Sequence, residues 1–202
     1  GRRPERRSQR HLAAAALTLG ALTGYCLPAH SSAHVAGREA RCLALIAYTE
    51  AAVDGPDGMA AVIQVVRNRM ADPRFPSDAC AVIAELAQFQ PIAQSAVLQK
   101  VVLDPEGYNI PQVLGLRSPA ARRLLAVAHA LAVAPRGGPD PTGEALYFVN
   151  PDLMAPEPCP WFASLKRTAR IGGHVFMTDY RPGEPRGAPA LECSSASAAD
   201  GP

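Results

Sequence analysis

The apolar residues of this 202-residue chain recur at helical spacing in several separate segments. Between residues 39 and 53, apolar side chains return every three or four residues, which places them on one face of a helix. This stripe consists of Leu43, Ile46 and Ala47, and Glu50 falls on the same face. The pattern therefore predicts an amphipathic helix with a carboxyl group on its buried side.

Three further helices follow from the same periodicity and from their capping residues. One is predicted from about Gly58 to Met70, with Asp57 accepting hydrogen bonds from its free amides. The others are predicted to open at Ser77 and at Ser118-Pro119. The predicted buried positions are Met59, Val62, Ile63, Val66 and Met70, then Ala79, Cys80, Val82, Ile83 and Leu86, and finally Leu124, Leu125, Ala128, Leu131 and Ala132.

The remaining segments are more irregular. Residues 87–93 are predicted to form a loop, residues 95–102 a weaker helix, and the following stretch to Gly115 a surface excursion. Two short strands are expected at 145–149 and 171–177, where aromatic and β-branched residues cluster between turn residues and could pair. The predicted fold class is α+β, predominantly α-helical, with a small antiparallel β-sheet.

The first 33 residues are typical of an export signal. Five arginines lie within the first ten residues, and an apolar run from Leu12 to Leu27 follows them. We expect cleavage after Ala33, or retention of the segment as an N-terminal anchor. One folded domain is predicted for residues 34–185 and a flexible tail for residues 186–202, with the protein exported to the periplasm or the cell exterior.

The positive charge of the chain belongs to this predicted signal. The net charge is +2, with 20 basic and 18 acidic residues, and removing the signal takes away five arginines and one glutamate. The remaining domain has two more acidic than basic residues, and its arginines are scattered. Nucleic acid is therefore not predicted as a partner, because phosphate binding needs clustered positive charge.

The cysteines predict disulfides rather than a metal site. Outside the predicted signal the chain has Cys42, Cys80, Cys159 and Cys193. An even number in an oxidising compartment suggests two disulfides, and all three possible pairings remain open. The chain has neither a close Cys-x-x-Cys pair nor a His-Glu-x-x-His motif, so we predict no metal and no cofactor.

Glu50 is the main candidate for chemistry. A carboxyl group among Leu43, Ile46 and Ala47 is partly removed from water, which raises its pKa. A carboxyl group that is still protonated near neutral pH can act as a general acid. A glutamate on an amphipathic helix is also commonly a boundary residue or an ion-pair partner, so its position alone does not assign catalysis.

Several ordered motifs resemble the bacterial family of spore cortex-lytic enzymes and cell-wall hydrolases. The resemblance covers about residues 40–92 and 118–177. It rests on the stretches 42–51 and 58–69, Arg74-Phe75-Pro76, Cys80-Ala81-Val82-Ile83, Gln88-Phe89, the stretch 143–148, Trp161 and the stretch 171–176. It implies a lysozyme-like catalytic domain that cleaves peptidoglycan between N-acetylmuramic acid and N-acetylglucosamine, with Glu50 at the position of the catalytic glutamate.

Three functions are compatible with this resemblance. A lytic transglycosylase would use Glu50 alone, first as acid and then as base. A hydrolytic muramidase would need a second carboxylate, for which Asp54 is the first candidate, although a turn role is favoured for it. An inactive peptidoglycan-binding module is the third, because Thr49, Ala52 and Val53 depart from the family pattern Tyr-His-Glu-Ala-Arg-Gly-Glu.

The predicted substrate contacts come from separate motifs in the first and second halves of the chain. They are Tyr48, Gln88, Phe89, Tyr147 and His174. An aromatic ring can stack on a sugar, and the tyrosine hydroxyls can hydrogen-bond with it, although core packing is an equally plausible role. His174 is also typical of a core or supporting histidine. The expected partner is the peptidoglycan glycan strand, bound by a monomer without a membrane span in its mature form.

Overall fold

Two long helices and a third that crosses them form the centre of the molecule. The computed structural model describes residues 29–85, 89–135, 137–153 and 164–187. Helix α1 (Ala29–Ala51) is joined to α2 (Gly55–Ala71) by a 3-10 turn (Ala52–Asp54), and α7 (Pro119–Val133) packs against both. The largest fully buried side chains of this core include Leu45, Ile46, Met59, Val62, Ile63 and Val66.

Four short helices close the sides of this core. They are α3 (Ala79–Ala84), α4 (Gln90–Ala93), α5 (Ala96–Leu103) and α6 (Ile110–Val113). Asp78, Ser95 and Asn109 cap α3, α5 and α6 by accepting a hydrogen bond from a backbone amide in the first turn. Ser118 caps α7 in the same way, as its sequence predicts.

A small antiparallel sheet lies beside the helices. It contains β1 (Tyr147–Val149), β2 (Lys166–Ile171) and β3 (His174–Thr178) in the order β1-β3-β2, and a second 3-10 turn (Pro151–Leu153) follows β1. Phe176 of the central strand is fully buried against Ala61 and Val65 of α2. The predicted fold class, α+β with helices predominating and a small antiparallel sheet, is confirmed.

The structure corrects several element boundaries. The segment 171–177, predicted as one strand, contains the turn between β2 and β3, so its two ends belong to different strands. Residues 90–93 are helical rather than a loop, and the predicted surface excursion contains α6 with a buried Ile110. Each correction reflects pairing or burial against residues distant in sequence.

Two predicted caps also differ from the structure. Asp57 lies inside the first turn of α2 rather than before it, because that helix begins at Gly55. The cap of α3 is Asp78 rather than Ser77, one residue later. In each case the predicted residue and the residue found at the start of the helix are both of types that favour capping. Local sequence preference therefore does not distinguish between them.

The termini lie mostly outside the described residues. Residues 1–28 of the predicted signal and residues 188–202 of the predicted tail are outside the described ranges. The last five residues of the predicted signal, 29–33, belong to α1. The predicted buried residue Leu86 is also outside the described ranges. None of the helices in the described ranges combines the length and the apolar composition needed to cross a bilayer.

One disulfide links α1 to α3. Cys42 and Cys80 are bonded across 38 residues, and both are buried. This pairing is one of the three that the sequence left open. Cys159 and Cys193 lie outside the described residues, so a second disulfide stays a prediction.

We expect that replacing both Cys42 and Cys80 with alanine lowers the free energy of unfolding by about 4 kcal/mol, because the bond no longer restricts a 38-residue loop in the unfolded chain. Urea denaturation under oxidising conditions measures the difference. Wild-type protein in reductant serves as the control and should approach the stability of the double variant. Equal stability of the wild type with and without reductant would contradict the prediction.

Candidate active site

Glu50 is the penultimate residue of α1, directly before the chain turns towards α2. The preceding residues Leu45, Ile46 and Ala47 are completely buried, so this end of the helix is held firmly by the core. The hydroxyl of Thr49 donates to the carbonyl oxygens of Leu45 and Ile46, 3.1 and 3.2 Å away, and is thereby turned back onto its own helix. Unlike Thr49, Glu50 does not use its enclosed Oε1 atom in a hydrogen bond to its own helix.

The environment of Glu50 favours its protonated form. The side chain is half-buried, and its Oε1 atom is enclosed without a hydrogen-bond partner in the part of the chain that the structure describes. Removal from water raises the pKa of Glu50 from its usual 4.5 to about 7. None of the ion pairs between described residues includes this carboxyl group. The sequence-based expectation of a raised pKa therefore agrees with the structure.

Asp54 lies four residues after Glu50 and joins this end of α1 to the sheet. One carboxylate oxygen accepts the backbone N–H of Gly173 at 2.9 Å, and the other lies 2.7 Å from Nδ1 of His174. Both side chains are largely buried. Asp54 precedes α2 but makes no side-chain cap on it. This geometry agrees with the turn role favoured from the sequence.

Glycines allow the sheet turn to approach Asp54 closely. A Cβ atom at Gly172, which has a φ of 58°, would lie 2.5 Å from the Asp54 carboxyl group. A Cβ atom at Gly58 would lie 2.4 Å from the Asp54 Cβ atom. These positions need glycine for space, and Gly172 also needs it for its left-handed backbone.

A cluster of aromatic rings connects the sheet with the helices. The ring of Phe148 lies 5.3 Å from that of His174 in an edge-on arrangement, 5.9 Å from Phe176 and 6.1 Å from Phe89. Such spacings are those of favourable aromatic pairs. His174 therefore makes a polar contact with the Asp54 carboxyl group through Nδ1 and an aromatic contact with the ring of Phe148.

Arg69 is a buried cation within this aromatic region. Its side chain is only 3% exposed, and its guanidinium carbon lies 5.2 Å from the ring centre of Phe75, 5.1 Å from Phe89 and 5.7 Å from Tyr147. Nε donates to the carbonyl oxygen of Leu146 at 2.7 Å. Burial lowers the pKa of Arg69 to about 10, which still leaves it charged at neutral pH. Aromatic faces replace part of the hydration that the guanidinium loses.

The predicted substrate contacts occupy different environments. Tyr48 and Tyr147 are half-buried, and the Tyr147 hydroxyl donates to Asp179 at 3.5 Å. Burial, and after it the negative charge of Asp179, raise the pKa of Tyr147. Gln88 lies outside the described residues. Sugar contact by these three side chains remains a prediction.

Phe89 and His174 are placed inside the protein rather than on an accessible surface. Phe89 is 1% exposed and packs against Phe148 and Arg69, while His174 is 4% exposed and pairs with Asp54. Packing of the aromatic cluster against residues of the sheet encloses both side chains, and their direct sugar contact stays a prediction.

Sequence reasoning missed Arg69 and the partner of His174. The signal for Arg69 was present, since it follows Met59, Val62 and Val66 at helical spacing on the buried side of α2. The pairing of Asp54 with His174 bridges 120 residues and has no comparable local signal. In the described ranges, no group of three or more histidine, cysteine or acidic residues is arranged to hold a metal ion.

The site thus combines a partly desolvated carboxyl group at the end of α1 with a buried Asp54–His174 pair that ties the sheet to the helices. Residues 54–177, more than half of the chain, match the model of a family described as Cell Wall Hydrolase. The chain therefore belongs to the cell wall hydrolase family. The matched segment begins at Asp54, so Glu50 lies four residues before it.

Two spore cortex-lytic enzymes are similar to this chain. The enzyme of Bacillus subtilis is 34% identical over 136 residues, which are 67% of this chain and 36% of the relative. That of Halalkalibacterium halodurans is 34% identical over 134 residues, 66% of this chain and 33% of the relative. The chain thus spans about a third of the length of the curated relatives it matches.

Two solved structures are also similar. One is the catalytic domain of the germination-specific lytic transglycosylase SleB from Bacillus anthracis, with a TM-score of 0.46 and 26% identity over 70% of this chain and 94% of that one. The other is the catalytic domain of the Bacillus cereus SleB protein, with a TM-score of 0.45 and 26% identity over 70% of this chain and 90% of that one.

The raised pKa of Glu50 predicts a pH-dependent stability difference. Below its usual pKa of 4.5 the carboxyl group is protonated in both the folded and the unfolded chain, so the wild type and Glu50→Gln should be similarly stable. Between pH 4.5 and 7 the unfolded chain releases the proton first, and the wild type loses stability. Above pH 7 we expect Glu50→Gln to be more stable by about 3 kcal/mol, as a shift of roughly 2.5 pKa units implies.

Urea denaturation of both proteins between pH 4 and pH 8.5 measures this difference, in which the contributions of other titrating groups largely cancel. A constant difference across this range would mean that Glu50 has an ordinary pKa in the folded protein.

Replacing Asp54 with alanine should destabilise the fold by about 3 kcal/mol, because His174 Nδ1 and the Gly173 amide lose their partner. Asp57→Ala is the matched control, since Asp57 is exposed and three residues away, and its effect should stay within about 0.5 kcal/mol. Chemical denaturation at pH 6 compares the two variants. Equal effects would show that the Asp54 contacts contribute no specific stability.

Proposed function

We propose that this chain cleaves the glycan strands of peptidoglycan between N-acetylmuramic acid and N-acetylglucosamine, with Glu50 as the acid and base. The observation that carries the proposal is the burial of the Glu50 carboxyl group, which raises its pKa to about 7. Membership of the cell wall hydrolase family and similarity to spore cortex-lytic enzymes support this choice of substrate.

The first step requires a proton at the oxygen that bridges the two sugars. Protonated Glu50 transfers this proton while the bond between that oxygen and the muramic acid C1 breaks. About half of Glu50 is protonated near pH 7, so the acid form is available under neutral conditions. The resulting Glu50 carboxylate is then ready to accept a proton.

The second step returns the proton to Glu50. The 6-hydroxyl oxygen of the muramic acid attacks C1 and closes a 1,6-anhydro ring, while its proton passes to the Glu50 carboxylate. The glycosidic bond is lost, the anhydro bond is formed, and no water is consumed. The chain then acts as a lytic transglycosylase with one carboxyl group in two roles.

The environment of Asp54 favours this single-carboxylate route over hydrolysis. A hydrolytic muramidase needs a second carboxylate as nucleophile or as the base that activates water. Asp54 accepts the Gly173 amide and pairs with His174, so contacts within the protein account for its position and orientation. We therefore favour the transglycosylase over the muramidase.

The remaining parts of the proposal concern substrate contact and location. Tyr48, Gln88, Tyr147 and, from the enclosed aromatic cluster, Phe89 and His174 are proposed to meet the sugars. The catalytic domain comprises residues 34–185 and acts as a monomer. The basic and apolar segment 1–33 directs it to the periplasm or the cell exterior.

We expect Glu50→Gln to reduce the clearing of purified peptidoglycan by at least about a hundredfold, because glutamine cannot donate the proton. Glu39→Gln on the same helix is the matched control and should keep wild-type activity. Measurement at pH 5, where the expected stability difference between the two proteins is below about 1 kcal/mol, separates activity from folding. Undiminished clearing by Glu50→Gln would refute the proposed role.

Mass spectra of the soluble fragments from the wild type separate the two chemistries. Anhydromuramic ends, one water lighter than reducing ends, are expected for the transglycosylase. Reducing ends would instead assign hydrolysis. Binding of the wall polymer without any fragments would assign the inactive binding module.

A further inference from the structure

A cavity of about 600 Å³ lies between α1, the segment 106–111 and α7. This volume is within the range of about 300 to 1,000 Å³ that is typical of small-molecule sites. Glu50 is not among its lining residues. The cavity is therefore a feature separate from the proposed catalytic group.

Two arginines line this cavity without a carboxylate partner in the described ranges. Arg41 donates from Nε to the carbonyl oxygen of Pro105 at 2.8 Å and from Nη2 to that of Tyr108 at 2.7 Å. Arg122 donates from Nε to the carbonyl oxygen of Leu116 at 2.9 Å. Arg41 is thus held by two hydrogen bonds and the exposed Arg122 by one, while no hydrogen bond between described residues engages Nη1 of Arg41 or either Nη atom of Arg122.

The charge around the cavity favours an anion. His129 on α7 also lines it and offers further ring nitrogens for hydrogen bonds. The Oε2 atom of Glu106, the acidic residue of the lining, lies 2.7 Å from Nε2 of His34 and so already has a partner within the protein. Two arginines thus line the cavity together with one carboxylate that already has a histidine partner. Guanidinium groups bind carboxylates well, because their N–H groups match the spacing of the two oxygens.

We propose that this cavity binds an acidic peptide through its carboxylates, and that this peptide is the stem peptide of peptidoglycan. The identity of the ligand rests on the proposed function, since the wall polymer carries such peptides on its muramic acids. The two backbone contacts of Arg41 hold its side chain in place and so reduce the entropy lost on binding. The apolar lining, including Ile110 and Leu125, suits the alkyl parts of the same peptide.

The position of the cavity on α1 makes it a second site rather than part of the first. Glu50 follows the lining residue Ala44 by six residues, which is about 9 Å along the helix axis and about 120° around it. A stem peptide bound there would hold the enzyme on the wall while a glycan strand is cut at Glu50. Such a peptide can belong to a neighbouring strand of the cross-linked wall.

The probe is the synthetic tripeptide L-alanyl-γ-D-glutamyl-meso-diaminopimelic acid, titrated into the protein in a calorimeter. It contains no glycosidic bond, so its binding is independent of cleavage. We expect Arg122→Gln to weaken binding at least about tenfold, as the loss of a charge-assisted hydrogen bond implies. Arg123→Gln is the matched control, because this exposed neighbour does not line the cavity, and it should bind like the wild type.

A second measurement keeps the proposal testable if Arg122→Gln fails to fold. The tripeptide with all its carboxylates amidated should bind the wild type at least about tenfold more weakly than the free acid. Equal binding of the two peptides, no binding of the free acid, or equal losses in Arg122→Gln and Arg123→Gln would each overturn the proposal. Stronger binding of inorganic phosphate than of the tripeptide would assign a phosphate site instead.

The two proposals can fail separately. Active Glu50→Gln protein would refute the catalytic proposal and leave the peptide titration unaffected. Peptide binding that is indifferent to Arg122 and to amidation would refute the second site, while loss of wall clearing in Glu50→Gln would still support the first.

Discussion

The contact of Asp54 with the turn between β2 and β3 is the constraint on which the geometry of the site depends. One carboxylate receives the Gly173 amide and pairs with His174, and so ties the sheet to the junction of α1 and α2. Because this junction follows Glu50 by four residues, the same contact limits how the end of α1 can move relative to the sheet. The small size of Gly172 permits the approach of this turn, and that of Gly58 leaves room for the Asp54 side chain beside α2.

Two ionisable groups near this region respond to burial in different ways. Glu50 has no ionic partner in the described part of the chain, so burial shifts its pKa upwards towards neutrality. Arg69 is more deeply buried but keeps its charge, because its pKa starts far above neutral pH and three aromatic rings surround it. Proton exchange near pH 7 is consequently possible at Glu50 and not at Arg69.

Asp54 and Glu50 differ in the partners that surround their carboxyl groups. Asp54 is held by two specific donors and serves the architecture, while Glu50 retains an enclosed oxygen that can gain and lose a proton. On a different face of α1, Arg41 is fixed by backbone carbonyl oxygens beside a separate cavity. One helix therefore carries the proposed proton donor and the proposed anion site on different faces.

Local sequence determined the helices α1, α2 and α7, the cap at Ser118 and the buried face that carries Glu50, because helix periodicity and capping involve residues a few positions apart. Only the tertiary structure decided the strand β2, whose polar residues pair with β3, and the choice of Cys80 as the partner of Cys42. It also decided the pairing of Asp54 with His174 and the enclosure of Phe89. Each of these depends on atoms brought together from distant parts of the chain, where burial and hydrogen bonding are set by the whole fold.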